Sequence, residues 1–282
     1  MTGISSDGVR VDLEDGASLA FRTPRSEKAY PSCRIQKGLL LIHGTRELVE
    51  EGLGFGVPVL KFGPETVFPG SARVTRRRNG DLSMVEVVYH LDLVQRMAIG
   101  GRTLGSRAIY EVEEFLARLH RDYPPCRGPG MWFFSNLLRI LSIEHKFETT
   151  ASAGTVSVAY SIPRGGGRVR VSADLRGLKR DGCTEITFAN EQGAGYFDRY
   201  SDSNGLVLTG RAIGTWDRVG AEEAALADVR DGITFTLRNL KGAAMFRGRE
   251  LAAGRLAWSG LNYVLPGGSV SFVYDIRIGS AR

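Results

Sequence analysis

Apolar and polar residues alternate one by one through most of the chain, and that period sets the expected fold. Val156, Val158, Tyr160 and Ile162 alternate with small or polar residues. After Pro163-Arg164-Gly165-Gly166-Gly167, Val169, Val171, Ala173 and Leu175 alternate again. A period of two places one row of side chains on a buried face and the other in water, which a helix cannot do. Two such runs across a glycine-rich turn predict an antiparallel hairpin. Val270, Phe272, Tyr274, Ile276 and Ile278 repeat the pattern at the C-terminal end. Earlier, Val9, Val11 and Leu13 lead through Asp15-Gly16 to Leu19 and Phe21. Ala72 and Val74 lead through Asn79-Gly80 to Leu82, Met84 and a strand reaching Leu93. Asp-Gly and Asn-Gly suit tight turns because both central residues tolerate positive φ. Further strands are expected at 39–43, 57–62, 185–190, 206–209, 233–237 and 261–265.

One segment departs from the pattern. Ile109, Val112, Phe115, Leu116 and Leu119 recur at three- and four-residue spacing, which predicts an amphipathic helix over 106–122. Glu111, Glu113 and Glu114 stand early in it and Arg118, His120 and Arg121 late, matching the helix dipole, and Pro124-Pro125 stops it. A second short helix is expected at 132–141. No internal repeat and no charged linker divides the chain. The expectation is a mainly-β protein: one large antiparallel β-sandwich over 1–282 with a helical insertion at 106–142. The alternative is two β domains, 1–105 and 143–282. This many strands in ~280 residues resembles, in architecture, the supersandwich of galactose-mutarotase-like carbohydrate-active proteins. The resemblance implies a fold and assigns no residue a role.

Composition narrows the picture only slightly. The 36 glycines are scattered without a period, which fits many tight turns. The formal net charge of +6 comes mostly from arginine, and the only dense run is Arg76-Arg77-Arg78 at an expected hairpin tip. Solvated turn charges account for that run better than a nucleic-acid surface does. Cys33, Cys126 and Cys183 are odd in number and far apart, with neither a disulfide framework nor zinc spacing, which fits a reducing compartment. The polar, acidic first residues do not read as a signal peptide, and no apolar run approaches ~18 residues. These features point to a cytoplasmic protein that does not cross a membrane, with no cofactor and no metal implied. The sequence leaves the oligomeric state open.

Three places carry candidate chemistry. The first is 43–58, where His43, Arg46, Glu47, Glu50 and Glu51 flank Gly52, Gly54 and Gly56. Its glycine spacing fits neither a dinucleotide loop nor a phosphate loop. It does offer a histidine and carboxylates for acid/base work on a sugar, with glycines that admit close backbone approach. The second is 190–205. Asn190, Glu191 and Gln192 end a strand there, and an Asp-x-Asn-Gly turn follows that reads as a hairpin and not a calcium loop. The third joins Arg249 and Glu250 to Trp216 and Trp258, whose rings suit stacking on a sugar face. The candidate acids and bases are therefore His43, Glu47, Glu50, Glu51, Glu191 and Glu250. The candidate ligand contacts are Arg46, Asn190, Gln192, Arg249, Trp216 and Trp258. The expected partner is a carbohydrate or other small polar ligand. The alternative is a non-enzymatic interaction protein docking through Trp132, Phe133 and Phe134.

Overall fold

The structure, a computed structural model, describes residues 9–13, 15–21, 34–49, 52–63, 65–99, 102–103, 143–228, 230, 232–252 and 255–280. The helices expected within 106–142, and with them Trp132, Phe133 and Phe134, lie outside the described residues. So do Cys33, Cys126, Glu50 and Glu51.

Near the N-terminus, β1 (Arg10–Asp12), β2 (Ala17–Ala20), β3 (Leu40–His43) and β4 (Arg46–Glu47) pair in sequence order as a small antiparallel sheet. A far larger antiparallel sheet of sixteen described strands makes up the body. Its first half holds β5 (Gly54–Phe62), β6 (Glu65–Asn79), β7 (Leu82–Ile99), β8 (Arg102–Thr103), β9 (Ile143–Thr149), β10 (Thr155–Pro163) and β11 (Arg168–Asp174). The second half adds β12 (Glu185–Gly193), β13 (Phe197–Asp202), β14 (Val207–Thr209), β15 (Asp217–Arg218) and β16 (Glu223–Asp228). It ends with β17 (Ile233–Arg238), β18 (Ala244–Ala252), β19 (Arg255–Pro266) and β20 (Ser271–Ser280). The order along the sheet is β14-β13-β16-β17-β20-β11-β10-β7-β6-β5-β12-β19-β18-β15, with β8 and β9 both on β7. Strands on either side of the 104–142 segment thus share one sheet.

The sheet folds over itself. Its two edge strands, β14 and β15, are consecutive in the chain and joined through a single 3-10 turn at Gly210–Ile213, whose Ile213 is buried. Burial alternates along β10 and β11 as the sequence period requires, so each strand offers one apolar row to the fold. Rows from strands far apart in the sheet order then meet. Phe188 of β12 packs at 5.5 Å on Phe272 of β20, although five strands separate the two. Tyr263 of β19 meets Tyr274 of β20 at 5.0 Å, and Phe55 of β5 meets Phe235 of β17 edge-on at 5.2 Å. The small sheet closes one side, contributing Val11, Leu19, Leu41 and Leu48 to the same core. A smaller cluster of Ile35, Leu53, Val57, Leu93, Phe147 and Ala189 covers part of the opposite, outer face.

Phenol hydroxyls inside this core need partners, and the irregular start of β5 supplies them. Tyr160 donates to the Phe55 carbonyl at 2.8 Å, and its hydroxyl lies 3.3 Å from that of Tyr89. Gly56, at φ 77°, lets the backbone come this close: a Cβ there would stand 2.5 Å from the Tyr160 hydroxyl. The register of β12 on β5 shifts between Ala189 and Asn190 at the same level. Burial pushes the hydroxyls of Tyr89, Tyr160, Tyr263 and Tyr274 above their ordinary pKa.

Two predictions follow from this core. Gly56→Ala combines a left-handed backbone with a clash against Tyr160, and is expected to destabilise by about 3 kcal/mol in urea unfolding. Paired with Tyr160→Leu, which removes the hydroxyl at 2.5 Å and the ring carbons at 2.9 and 3.0 Å, the loss relative to Tyr160→Leu alone should shrink; an undiminished loss would detach the glycine from the tyrosine. The second concerns alkali. Four buried phenols hold their protons in the folded state but release them from about pH 10 when unfolded. Their contribution is therefore complete below pH ~10 and lost as pH climbs toward the folded-state values. Stability should fall above pH 10 by up to about 1.4 kcal/mol per pH unit for each phenol, and Tyr160→Phe should flatten the slope by one proton. Urea midpoints across pH 9–11 measure it.

Candidate ligand-binding site

The three candidate segments meet at one region of the large sheet. β5 pairs with β12 so that Asn190 stands opposite Phe55 and Glu191 opposite Gly54. β12 pairs with β19, placing Gln192 opposite Ser259 and Gly193 opposite Trp258, and β18 continues the ladder with Arg249 opposite Ser259 and Glu250 opposite Trp258. The Gly193 N–H donates to the Leu48 carbonyl at 2.8 Å, so the chain after Glu47 runs beside the end of β12. His43 stays in the small sheet, paired with Ala17 and Arg46.

Strand alternation divides these residues between two faces. On the inner face, continuing the row of Phe188 and Tyr263, lie Asn190, Gln192, Ser259 and Arg249. Asn190 is fully buried and fully engaged. Its Oδ1 accepts from the Tyr274 hydroxyl at 2.8 Å and the Gly56 N–H at 3.2 Å, and its Nδ2 donates to the Phe188 carbonyl at 3.2 Å. These bonds make Asn190 part of the core. Gln192 is equally buried, yet neither amide atom finds a partner, and the Ser259 hydroxyl opposite it is also unpartnered. Arg249 donates from Nη2 to the Ala194 carbonyl at 2.8 Å, and the Arg46 guanidinium lies 5.0 Å from the centre of the Tyr196 ring.

The outer face carries a carboxylate and an aromatic shelf. Glu191 is nearly buried; its Oε1 accepts from Asn262 Nδ2 at 2.9 Å and its Oε2 from the Leu53 N–H at 3.4 Å. Asn262 in turn accepts the Asn190 N–H at 2.8 Å, joining the two faces. One ladder row runs Glu191, Gly260, Gly248 across three strands. The glycines are there for space. A Cβ on Gly260 would stand 2.8 Å from Glu191 Cγ, and one on Gly248 would stand 2.8 Å from the Trp258 ring. Past Gly248, Trp216 stacks on Phe246 with centroids 5.3 Å apart and planes 12° apart, and meets Trp258 edge-on at 6.5 Å. Trp216 is 44% exposed, whereas Trp258 is half-buried. Beneath the shelf, Arg247 pairs with Asp217 at 3.5 Å and donates to the Ile213 carbonyl at 2.9 Å, which fixes the chain on both sides of Trp216.

Among the described residues no group of three or more metal-ligating side chains comes together. The Asp-x-Asn-Gly turn is a hairpin turn: Asp202 Oδ1 accepts the N–H groups of Asn204 at 3.0 Å and Leu206 at 3.2 Å. No helix among the described residues is long and apolar enough to cross a membrane. Sequence reasoning missed Phe246, Ser259, Asn262 and the paired glycines. The signal for the glycines lay in Arg247-Gly248-Arg249 and Trp258-Ser259-Gly260, two strands each with one residue lacking a side chain.

No protein-family model matches the chain, and no curated protein sequence does. Solved structures are similar in fold. The α-N-acetylgalactosaminidase NagBb of Bifidobacterium bifidum, in complex with GalNAc, superposes with a TM-score of 0.51 over 97% of this chain at 10% identity. The ligand-free form of the same enzyme gives 0.50 at 10% identity, again over 97% of this chain. In each case the match spans 36% of the bifidobacterial protein. A galactose mutarotase-like protein of Lactobacillus casei gives a TM-score of 0.39 at 10% identity, covering 96% of this chain and 99% of that one. At such identities the first two likenesses are ones of fold, a large antiparallel β-sandwich.

Proposed function

We propose that the protein binds carbohydrate, and that the sugar stacks on Trp216. The observation that carries this reading is an exposed indole held flat against Phe246 and braced by Trp258, just before β15, whose Asp217 and Arg218 are exposed beside it. A pyranose presents an apolar face of C–H groups to such a ring, while neighbouring polar side chains meet its hydroxyls. An exposed tryptophan already fixed by its neighbours loses little freedom on binding. The fold shared with the GalNAc-bound bifidobacterial enzyme supports a sugar as the ligand and makes N-acetylgalactosamine the first probe. Binding is favoured over hydrolysis by the settings of the two candidate carboxylates among the described side chains. Glu191 is engaged by Asn262 and Leu53, and Glu47 lies in the small sheet.

Saturation-transfer NMR with N-acetylgalactosamine, galactose and glucose tests the reading. At least one should give a saturable signal that Trp216→Ala weakens about tenfold, equivalent to ~1.4 kcal/mol, and that Trp216→Phe largely restores. Absence of saturable binding by all three would sink the proposal. Gln192 supplies the discriminating control. Replacing its unpartnered amide by a side chain of similar shape, Gln192→Met, should raise stability by about 1 kcal/mol in urea unfolding and leave sugar binding unchanged. Lost binding in that variant would move the ligand to the inner face and overturn the Trp216 assignment.

A further inference from the structure

A polar cavity of about 150 Å³, lined by none of the residues of the Trp216 shelf, has a chemistry the sugar reading does not use. It forms where β1 crosses the tip of the β6–β7 hairpin, beside the turn between β10 and β11. Arg10, Arg76, Arg78 and Arg164 line it with Ser83 and Asp12, and Asp81 completes the rim. Four guanidiniums against two carboxylates leave the lining two charges positive.

The sequence period explains how the cavity arises. Arg76 and Arg78 are two residues apart on β6 and share a face, with Arg77 between them on the other; Arg76 is half-buried, and Arg78 at the hairpin end is exposed, as is Arg77. Arg78 stands opposite Ser83, and Arg76 opposite the core residue Val85, so both arginines face the side that β1 covers. The turn bearing Arg164 is tied down by its N–H, which donates to the Asp81 carbonyl at 2.7 Å. Charge pairing is incomplete. Arg10 lies 3.6 Å from Asp12, an outward-facing carboxylate that is 84% exposed. Arg76, Arg78 and Arg164 have no carboxylate within 4.0 Å among the described residues, and Arg76 Nε is buried without a hydrogen-bond partner. Elsewhere arginines find acids: Arg168 with Asp275, Arg176 with Asp174, and both Arg238 and Arg277 with Glu223.

Three unneutralised guanidiniums converging on one cavity repel one another, and a buried N–H without an acceptor is unfavourable. An oxyanion removes both problems, because guanidinium forks fit tetrahedral oxygens in two-point contacts and a serine hydroxyl adds a neutral donor. We propose that this cavity binds a tetrahedral oxyanion, phosphate or sulfate, either free or as a monoester on a small molecule. A nucleic-acid strand fits less well: no aromatic ring lines the cavity for a base to stack on, and two aspartates stand where a phosphate backbone would pass.

The test is isothermal titration of the full chain with inorganic phosphate, sulfate and glucose 6-phosphate, each at ionic strength matched with sodium chloride. The expected result is saturable binding of at least one, weakened tenfold or more by Arg76→Gln and by Arg164→Gln, and unchanged by Arg77→Gln. Without anion, the Arg76→Gln and Arg164→Gln proteins should melt at or above the parent temperature, since each loses a repelling charge. Tighter binding of glucose 6-phosphate than of inorganic phosphate identifies an ester as the ligand; equal binding identifies the free ion. No saturable heat from any of the three would overturn the proposal. So would an equal loss on Arg77→Gln, which reports general charge only, or tighter salt-sensitive retention of a DNA duplex.

Discussion

Tyrosine hydroxyls deep in an aromatic core must be answered by hydrogen-bond acceptors, and the fold of this protein turns on how that is done. Tyr160 reaches across to the Phe55 carbonyl at 2.8 Å and Tyr274 to Asn190 Oδ1 at 2.8 Å. Each bond joins parts of the sheet that are not neighbours in strand order, so each fixes how one half lies on the other. Without them, folding the sheet would strand polar atoms in a medium where an unpaired hydroxyl costs about 1–3 kcal/mol. The positive φ of Gly56 and the register shift at Ala189/Asn190 are the local distortions that bring acceptors within reach.

The same distortion sets where ligand chemistry can sit. Once Asn190 is committed to Tyr274 and Gly56, the next residues of β12 point alternately out and in. Glu191 goes to the outer face with Asn262, and Gln192 to the inner face with Ser259 and Arg249. A bulge therefore decides which polar side chains are structural and which are left over. The two glycines opposite one another on β18 and β19 act next. By removing two side chains they let Glu191 and Trp258 lie flat against the sheet, with Trp216 beyond Gly248.

Much of the sandwich was legible in the sequence because its period is strict. The runs 156–162, 169–175 and 270–278 read as strands, and each contains one with the burial alternation expected, except that Val270 stands exposed just before β20. Strand lengths were less legible. β7 continues to Ile99 and β12 to Gly193, because pairing partners and not local composition decide where a ladder stops. The glycines at 54 and 56 read correctly as admitting a close approach, but what approaches is Leu39 and Tyr160, the latter over a hundred residues onward, which no local pattern encodes. Asn190, Glu191 and Gln192 read as one polar group at a strand end. They belong to two faces because the strand runs through them.

Arg76-Arg77-Arg78 shows the same limit in its sharpest form. As a run of charge it reads as a solvated hairpin tip, and for Arg77 and Arg78, both exposed, that is correct. For half-buried Arg76 the meaning of the charge depends on β1, more than sixty residues earlier, which lines the other side of a cavity that Arg76 and Arg78 share. Local period gives the face on which a residue lies; only topology gives what stands across from that face. Structural roles are therefore readable where both faces belong to one hairpin. The two proposed sites are less readable, because each is assembled where strands remote in sequence face each other: Trp216 and Trp258 stand out in the sequence, but their shelf forms through β15, β18 and β19, and the arginine cavity through β1, β6 and the β10–β11 turn.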